Sequence, residues 1–265
     1  MSKTALITGG IGDLGFASAE LLAKEQGYRL ALLDWAEESK ATPRLRALMD
    51  AGHEAIFLRA DVSRRAEVEK ALERVWQEFG GLDYCLCNAA ITGDKHILDF
   101  SAEEWQRVLD INLGGYFHVS QAVARRWVKE EKKGKLVFMG SWVQEVPYKL
   151  IGPYCVAKAG AWMLCRIMAM ELGPYGITAN CVAPGNVDAG LTAVEMQEMP
   201  WMRAEYSRQI PLRRMQTAED VAQMVAFTAS PASDYITGTC FLTDGGCTAG
   251  SATPLTEKDM SKKNY

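Results

Sequence analysis

Short apolar runs alternate along the chain with longer stretches in which apolar residues recur every three or four positions. An uninterrupted apolar run is typical of a strand buried on both faces, whereas the longer spacing is typical of an amphipathic helix. Strands are therefore predicted in the segment KTALITGG near the N-terminus and at 29–34, 55–60, 82–88, 135–141, 177–183 and 239–244. Helices are predicted at 14–26, 64–79, 102–128 and 154–172, the third of them broken or bent near Gly114 and Gly115.

This alternation predicts parallel βαβ units, because parallel strands need a crossover connection of helical length. We expect an α/β fold, a doubly wound parallel sheet of about seven strands with helices on both faces, in a single domain spanning residues 1–265. Residues 186–211 lack a strand pattern and follow the sixth strand, where a lid over a substrate is expected. Residues 249–265 are expected to form a polar C-terminal tail.

Composition narrows the classes of partner. Hydrophobic residues make up 48% of the 265 positions, enough for a sizeable core, and the formal net charge is −4. With that charge and no long basic block, neither nucleic acid nor an anionic membrane is an expected partner. No apolar export segment opens the chain, and no run approaches the ~18 residues of a membrane span. We therefore expect a cytoplasmic protein that acts on a small molecule.

The cysteines are seven in number, which is odd, and no two of them form a CxxC pair. Cys85 and Cys87 lie two positions apart in an apolar run and should share one face of a strand. Because no His or further Cys clusters beside them, neither a metal site nor a disulfide is expected. We expect buried, reduced thiols instead.

A glycine-rich turn joins the first predicted strand to the first predicted helix. Its sequence is TGGIGDLG, residues 8–15, and glycines at 9, 12 and 15 permit a tight turn, close approach of a pyrophosphate and close helix packing. The N-terminus of the helix offers unpaired N–H groups and a favourable dipole to phosphates. The position of the motif between a strand and a helix of the first βαβ unit predicts a dinucleotide site.

Acidic residues follow the next two strands. Asp34 closes the second strand, 19 residues after Gly15. There it can accept hydrogen bonds from both ribose hydroxyls and would repel a 2′-phosphate, with no Lys or Arg in the glycine loop to offset the repulsion. NAD is therefore the predicted cofactor rather than NADP. Asp61, which precedes Val62, either contacts the adenine edge or caps the next helix, and both roles stay open.

A set of polar residues points to acid–base chemistry. Tyr154 and Lys158 lie four apart at the start of a helix, so they share one face, and Ser141 ends the fifth strand. A positive charge from Lys158 and an oxidised nicotinamide would favour the Tyr154 phenolate, which could then take a proton from an alcohol. Ser141 would hydrogen-bond the substrate oxygen. Asn112 lies in the long helical region before Ser141.

These residues resemble a family pattern. The order TGxxGxxG, Asp34, the triplet Asn-Ala-Ala at 88–90, Asn112, Ser141, YCVAK at 154–158 and the Pro-Gly pair at 184–185 is similar to that of the short-chain dehydrogenase/reductases. The resemblance runs from Thr8 to about Gly246, and the gap of 13 residues between Ser141 and Tyr154 matches as well. It implies a Rossmann-type fold and an oxidoreductase that transfers a hydride to or from a nicotinamide cofactor.

The resemblance also implies roles for individual residues. Tyr154 is the catalytic acid/base, Lys158 binds the nicotinamide ribose and lowers the tyrosine pKa, Ser141 orients the substrate, and Asn112 holds a water in a proton relay to Lys158. The expected cofactor contacts are Gly9, Gly12, Asp13, Leu14, Gly15, Asp34, Trp35, Asp61, Val62, Asn88, Ala89, Tyr154, Lys158, Pro184, Gly185 and Val187.

Two departures from the family pattern stand out. In the shorter, tetrameric subtype the glycines follow TGxxxGxG, so Asp13 occupies a position that is normally glycine, and the glycine spacing is instead that of the longer subtype. Because its charge would repel a pyrophosphate, we expect Asp13 to face solvent or to cap the helix. The family's usual Thr after the Pro-Gly pair is Ala189 here, so one cofactor hydrogen bond is expected to be missing or supplied by Thr192.

Substrate contacts are expected between Ser141 and Tyr154 and in the lid. Gln144, Glu145 and Asn186 could hydrogen-bond several hydroxyls, and Trp142 and Trp201 could stack on a sugar ring, which favours a sugar, sugar derivative or polyol. The lid sequence weakly resembles bacterial sugar and polyol dehydrogenases. Packing of the lid, or a surface position, is the open alternative for these residues. The candidates are Ser141, Trp142, Val143, Gln144, Glu145, Tyr148, Tyr154, Asn186, Glu195, Met199, Trp201 and Met202.

Two other functions stay open. One is reduction of a 3-oxoacyl thioester, against which Asp34 argues because that reaction usually uses NADPH. The other is a non-catalytic NAD-binding protein. The resemblance also implies a homotetramer with residues 102–128 and 154–172 in one interface. Arg125, Arg126 and Lys129 lie at the end of the first of these helices, which is assigned to the interface. Met163, Leu164, Ile167 and Met170 form an apolar face of the second helix that belongs to an interface or to the core.

Overall fold

The structure, a computed structural model, describes residues 2–199 and 201–250, without the side chains at 194, 195, 197 and 198. The predicted tail therefore lies outside the described residues from position 251 onwards. The strands are β1 (Thr4–Thr8), β2 (Arg29–Asp34), β3 (Ala55–Arg59), β4 (Tyr84–Cys87), β5 (Gly134–Met139), β6 (Ile177–Pro184) and β7 (Cys240–Thr243). The helices are α1 (Asp13–Gln26), α2 (Glu38–Asp50), α3 (Arg65–Phe79), α4 (Ala102–Leu109), α5 (Gly115–Lys129), α6 (Gly152–Leu172), α7 (Gly190–Glu198), α8 (Met202–Gln209) and α9 (Ala218–Ala229).

Within the described residues, seven parallel strands form one sheet in the order β3-β2-β1-β4-β5-β6-β7. The chain crosses from β3 to β4 on the other side of β1, so the direction of winding reverses between β1 and β4. In such sheets ligands bind at the carboxyl ends of the strands next to this reversal. The predicted doubly wound α/β fold is confirmed.

Two apolar layers cover the sheet. Neighbouring residues of β1 point into opposite layers, Leu6 towards α3, α5 and α6, and Ile7 towards α1 and α9. Both side chains are fully buried, which explains why the strands are continuously apolar rather than alternating. Cys85 and Cys87 both lie in the first layer, as the sequence predicted. All seven cysteines are free thiols.

The helical region after β4 differs in detail from its prediction. A π-helical turn, Asp110–Gly114, separates α4 from α5 and begins four residues before the predicted break at Gly114. Gly115 is needed for packing rather than for bending, because a Cβ there would overlap the side chain of Val62. Helices α2 and α9 were not predicted, and the segment 186–211 contains α7 and α8.

Among the described residues, no helix is long and apolar enough to cross a membrane. The same part of the chain contains no group of three or more His, Cys, Asp or Glu side chains that could hold a metal ion.

Candidate active site

Close packing at the carboxyl end of β1 requires three of the four glycines of the loop, including Gly10, where a Cβ would lie 2.8 Å from the Ile7 carbonyl oxygen. Gly9 has a φ of 62°, and a Cβ on it would lie 2.9 Å from the Asn88 side-chain nitrogen. A Cβ on Gly15 would collide with the carbonyl oxygen of Gly9. At Gly12 a Cβ would meet only that same oxygen at 3.3 Å, and its φ of −73° suits any residue. The backbone therefore needs Gly9, Gly10 and Gly15, whereas Gly12 keeps the approach to the loop open.

The loop fits the phosphates of a dinucleotide. Gly12 is the N-cap of α1 and has no side chain that could accept from the N–H groups of the first turn. Such groups are unsatisfied at a helix N-terminus and bind phosphate oxygens well. Asn88 braces the loop from β4, because its side-chain amide donates to the carbonyl oxygens of Thr8 at 2.9 Å and Gly9 at 3.3 Å. Leu14 and Ala89 adjoin this cradle, Ala89 donating from its N–H to the Thr8 hydroxyl at 3.1 Å.

Asp34 lies at the carboxyl end of β2 and is 9% exposed. Its carboxylate accepts hydrogen bonds from the backbone N–H groups of Ile11, Trp35 and Ala36, so it sits against the glycine loop. Burial raises the pKa of Asp34, and the three N–H groups oppose that rise. Trp35 itself is exposed. The placement of Asp34 suits contact with an adenosine ribose.

Asp61 occupies a turn between β3 and α3. One carboxylate oxygen accepts from the Ser63 N–H at 2.9 Å and from the Ser63 hydroxyl at 2.7 Å. Of the two roles left open by the sequence, the helix cap is not observed, because the N-cap of α3 is Arg64 and no side chain caps it. Val62 is buried, and its carbonyl oxygen lies 3.0 Å from Nδ1 of His118.

Asp13 is exposed, as one of the two expectations had it, but its carboxylate is paired rather than free, and no side chain caps α1. One carboxylate oxygen pairs with the Arg44 guanidinium at 2.7 Å, and the other accepts from the N–H of Gly190 at 2.9 Å. Arg44 also donates to the Gly12 carbonyl oxygen at 2.9 Å. The Arg44 hydrogen bond and the Gly190 N–H lower the pKa of Asp13. The loop's own sequence contains no basic residue, but the fold brings Arg44 of α2 to the loop.

The predicted catalytic side chains come together at the carboxyl end of β5. Ser141 follows β5, and the first two turns of α6 carry Tyr154 and Lys158. The Ser141 hydroxyl hydrogen-bonds the Tyr154 hydroxyl. The Lys158 ammonium lies 5.4 Å from the centre of the Tyr154 ring.

The electrostatics of this cluster differ from the expectation. Burial raises the pKa of Tyr154 to about 12, against which the Ser141 hydrogen bond acts, and burial lowers the pKa of Lys158 to about 8. The Lys158 ammonium donates to the Met139 carbonyl oxygen at 2.6 Å and to the Tyr116 hydroxyl at 2.9 Å, rather than to the Tyr154 hydroxyl.

Asn112 lies in the π-helical turn and is fully buried. Its side-chain oxygen accepts from the Ile91 N–H at 2.9 Å, and its side-chain nitrogen donates to the Ile91 carbonyl oxygen at 2.7 Å. The amide is thus engaged with the backbone that follows β4. The two bonds use one acceptor and one donor position of the amide, and its second positions and the main chain of Asn112 are left for a water that joins it to Lys158.

Tyr116 is a residue of this site that the sequence interpretation missed. It is buried, and its hydroxyl contacts both the Lys158 ammonium and the Met139 carbonyl oxygen. Its position one helical turn after Asn112, at the start of α5, was the available signal, because residues four apart share a helix face.

Gln144 is the clearest correction among the substrate candidates. It belongs to a short 3₁₀ turn and is 9% exposed, with its amide oxygen accepting from the Ser141 N–H at 3.4 Å and its nitrogen donating to Cys240 Sγ at 3.1 Å. The side chain therefore points into the sheet layer rather than towards a substrate.

The other candidates between Ser141 and Tyr154 divide into buried and exposed positions. Val143 is buried, whereas Glu145 and Tyr148 are exposed. The rings of Trp142 and Tyr148 meet edge to face with centroids 5.6 Å apart. An aromatic pair therefore follows Ser141 along the chain.

The segment after β6 forms the base of the predicted lid. Val187 forms a parallel bridge with Gln216. In this bridge the Gln216 N–H donates to the Asn186 carbonyl oxygen, and the Asp188 N–H donates to the Gln216 carbonyl oxygen. The N–H and C=O of Val187 point away from that bridge, as a bond to a carboxamide would require. Gly185, the residue after Pro184, packs closely against Asp244, because a Cβ on Gly185 would lie 2.7 Å from the Asp244 Cα.

Methionines and a tyrosine give the lid a small core of its own. Met202 is buried there and Met199 packs against it, so these two candidates serve packing, whereas Trp201 is exposed. Ala189 packs against the sheet layer, Thr192 is half-buried, and the side chain of Glu195 lies outside the described residues. The buried members of the lid core are Met196, Met202, Tyr206, Ile210 and Met215.

The apolar face of α6 does not belong to the core. Met163, Ile167 and Met170 are exposed, Met170 to 81%, and of the four predicted members Leu164 alone packs against the core. On the neighbouring α5, Arg126 pairs with Glu130 at 2.7 Å.

Comparison with known proteins agrees with this geometry. The family model described as "Enoyl-(Acyl carrier protein) reductase" matches residues 10–248. An (S)-acetoin-forming diacetyl reductase of Staphylococcus epidermidis is 34% identical over 255 residues, covering 93% of this chain and 98% of that protein. A 3-oxoacyl-acyl-carrier-protein reductase of Chlamydia muridarum is 32% identical over 246 residues, covering 93% and 97%.

A solved structure gives the same answer for the fold. The short-chain type dehydrogenase/reductase from Mycobacterium marinum superposes with a TM-score of 0.87 at 31% identity, covering 94% of this chain and 96% of that one. The chain belongs to the short-chain dehydrogenase/reductase family of oxidoreductases, which use a nicotinamide cofactor.

Proposed function

We propose that the protein is an NAD-dependent dehydrogenase that moves a hydride between NAD and the carbon of a secondary alcohol. This proposal depends on one observation, that Ser141, Tyr154 and Lys158 lie together at the carboxyl end of β5. The glycine loop after β1 lies at the same edge of the sheet. Acid–base groups and a dinucleotide cradle on one edge are what alcohol oxidation needs.

Ser141 and Tyr154 hold the reacting oxygen in this proposal. The Ser141 hydroxyl donates to the substrate oxygen, and in oxidation the substrate hydroxyl gives its proton to the Tyr154 phenolate oxygen. The cofactor, when bound, accepts the hydride and contributes positive charge. With a pKa of about 12 in the protein itself, Tyr154 needs that charge, together with the Lys158 ammonium, to act as a base near neutral pH.

Asp34 supports NAD over NADP. Its buried carboxylate stands against the glycine loop, where a 2′-phosphate would meet an acidic group. Arg44 lies near enough to lower the pKa of Asp34, yet its guanidinium is already paired with Asp13. The cation is therefore not free to compensate for a second phosphate.

For the substrate we propose an alcohol with a neighbouring oxygen, as in a sugar, a sugar derivative, a polyol or a vicinal diol. Glu145 is exposed and available to a second hydroxyl, and the Trp142–Tyr148 pair offers an apolar face. Gln144 no longer supports a sugar, because its amide is turned inward. The relative described as an (S)-acetoin-forming diacetyl reductase adds support for adjacent oxygens.

Reduction of a 3-oxoacyl thioester is the second candidate, favoured by the similarity to a 3-oxoacyl-acyl-carrier-protein reductase. The two candidates differ in cofactor and in substrate. Turnover of a 3-oxoacyl thioester with NADPH that exceeds every NAD-linked alcohol oxidation would select this candidate over the first.

The test is a panel of sugars, sugar acids, polyols and vicinal diols offered with NAD, with NADH formation followed by absorbance. The best substrate is then given to Tyr154→Phe, which should lose about a thousandfold in turnover while still binding NADH. Tyr175→Phe, which changes an exposed tyrosine beyond α6, serves as the control. Full turnover by Tyr154→Phe would support a different acid/base, and no NADH from any hydroxylated compound would remove the proposal.

We also propose a homotetramer in which the exposed α6 face of Met163, Ile167 and Met170 meets another subunit. Covering large apolar side chains is favourable by about 25 cal/mol per Å² of buried apolar surface. Light scattering of the protein and of Met163→Glu tests this, since a charge on that face should shift the tetramer towards smaller species.

A further inference from the structure

Three segments that are distant in sequence converge on the carboxylate of Asp13. The carboxylate belongs to the first residue of α1, the Arg44 guanidinium comes from α2, and the N–H comes from Gly190 at the start of α7. The two bonds measure 2.7 Å and 2.9 Å. One side chain thus joins the glycine loop to the first turn of the lid.

Arg44 is held in place by more than its ion pair. It donates to the Gly12 carbonyl oxygen at 2.9 Å, and its guanidinium lies over the Phe16 ring at 4.8 Å from the centroid. Its side chain is 31% exposed and that of Asp13 is 46% exposed. A fixed cation therefore stands beside a carboxylate at the helix end that faces the phosphates.

Opposite charges at this position have a clear electrostatic consequence. A carboxylate alone at the N-terminus of α1 would repel an incoming pyrophosphate at short range. Paired with Arg44, it presents little net charge, so the pyrophosphate can lie alongside it. The pair thereby allows an acidic residue at the position that is normally glycine in the family's shorter subtype.

The other oxygen of Asp13 acts on the lid. Gly190 has a φ of 58°, a conformation that favours glycine, and a Cβ on it would lie 3.6 Å from Leu14. The lid turns back over the start of α1 at this residue. The base of the lid is fixed separately through the bridge of Val187 with Gln216, so the bond to Asp13 holds the first turn of α7 in particular.

We propose that Asp13 is a positioning residue that latches the first turn of the lid onto the glycine loop, and that Arg44 neutralises it so that the cofactor pyrophosphate is accepted. The lid is then seated on the same loop that holds the phosphates. The part concerning Arg44 rests on the proposed use of a dinucleotide, whereas the latch itself exists in the cofactor-free protein.

The experiment tests the bond of Asp13 to Gly190 and the neutralisation of Asp13 by Arg44 separately, and neither measurement needs turnover. Hydrogen exchange of residues 188–193 in the cofactor-free protein reports the latch, and fluorescence titration with NADH reports the phosphate site. Asp13→Ala removes both the ion pair with Arg44 and the bond to Gly190. Asp13→Asn keeps an acceptor for Gly190, and Arg44→Met removes the cation alone. Arg46→Met removes an exposed cation two positions away on α2 and is the matched control.

Opposite signatures are expected. Asp13→Ala should raise amide exchange at 188–193 about fivefold, the effect of one lost hydrogen bond, and leave the NADH Kd unchanged or lower. Asp13→Asn should stay near the wild type in exchange. Arg44→Met should leave exchange unchanged and raise the NADH Kd about fivefold, because the carboxylate is then unopposed. The double variant Asp13→Ala/Arg44→Met should bind NADH about as tightly as the wild type.

Exchange at 188–193 that is equal in Asp13→Ala and the wild type would overturn the latch. An NADH Kd for Arg44→Met equal to that of Arg46→Met would overturn the neutralisation. If the wild type binds neither NADH nor NADPH, the proposed function fails, while the exchange measurement still decides the latch.

Discussion

The ammonium of Lys158 donates a hydrogen bond to the hydroxyl of Tyr116 at 2.9 Å. That hydroxyl donates to the Met139 carbonyl oxygen at 3.0 Å, and the same oxygen accepts from Lys158 at 2.6 Å. The three groups form a closed, buried triangle in which two neutral oxygens solvate one charge. Neutral partners replace water only in part, which is why burial lowers the pKa of Lys158 to about 8.

Tyr116→Phe should shift the pH profile of the enzyme. The change removes the oxygen that accepts from Lys158, so the charged form loses a partner and the Lys158 pKa falls below its present value. The loss of rate at high pH, where Lys158 gives up its proton, should begin about one unit lower. Alcohol oxidation measured from pH 6 to pH 10 checks this. Tyr84→Phe, which removes a buried hydroxyl bonded to Thr228, is the control, and an unshifted profile would contradict the role.

Lys158→Met should make the protein more stable near neutral pH. The Lys158 pKa is about 8 in the folded protein and 10.5 in the unfolded chain, so the unfolded chain binds more protons between these values. Ionisation of Lys158 by itself should therefore contribute a rise of about 3 kcal/mol to the stability of the wild type as the pH passes from 8 to 10.5. The buried thiols of Cys87, Cys165 and Cys181, whose pKa values are raised, act in the opposite direction in both proteins. Lys158→Met lacks this rise. Urea unfolding at both ends of the window measures it, and parallel pH dependences of the two proteins would refute it.

Asp34→Ala should weaken the preference for NADH over NADPH. The carboxylate is buried against the glycine loop, and removing it takes away both the repulsion of a 2′-phosphate and the acceptor for ribose hydroxyls. The ratio of the two Kd values should change by about tenfold or more. Fluorescence titration with both cofactors measures the ratio, with the exposed Asp50→Ala as control. A wild type that prefers NADPH would reverse the assignment.

Gln144→Leu should lower stability without changing substrate affinity. The buried amide accepts from the Ser141 N–H and donates to Cys240, so a leucine leaves a buried N–H unpaired at a cost of about 1–2 kcal/mol. The KM of the best substrate should stay the same. Thermal melts and kinetics distinguish the two effects, with the exposed Gln77→Leu on α3 as the matched control. A large rise in KM at unchanged Tm would return Gln144 to the substrate site.

Local patterns predicted the parts of the site that depend on short-range geometry. Tyr154 and Lys158 share a helix face because they are four residues apart, and both lie on the first two turns of α6. Asp34 closes β2, and the glycines follow β1, at the positions that the apolar runs predicted. Each of these placements follows from helix or strand periodicity and from the parallel sheet, which brings the carboxyl ends of its strands to one edge.

What the sequence by itself determined is therefore the doubly wound sheet and which chemical groups follow its strands. The direction in which side chains turn was decided by tertiary packing. Arg44 reaches Asp13 across 31 positions, and Gln144 turns inward because Cys240 of β7 accepts from it. Tyr116 meets Lys158 across 42 positions. Periodicity encodes which face a residue occupies, but the partner on that face comes from another element, and only the folded chain brings the two together.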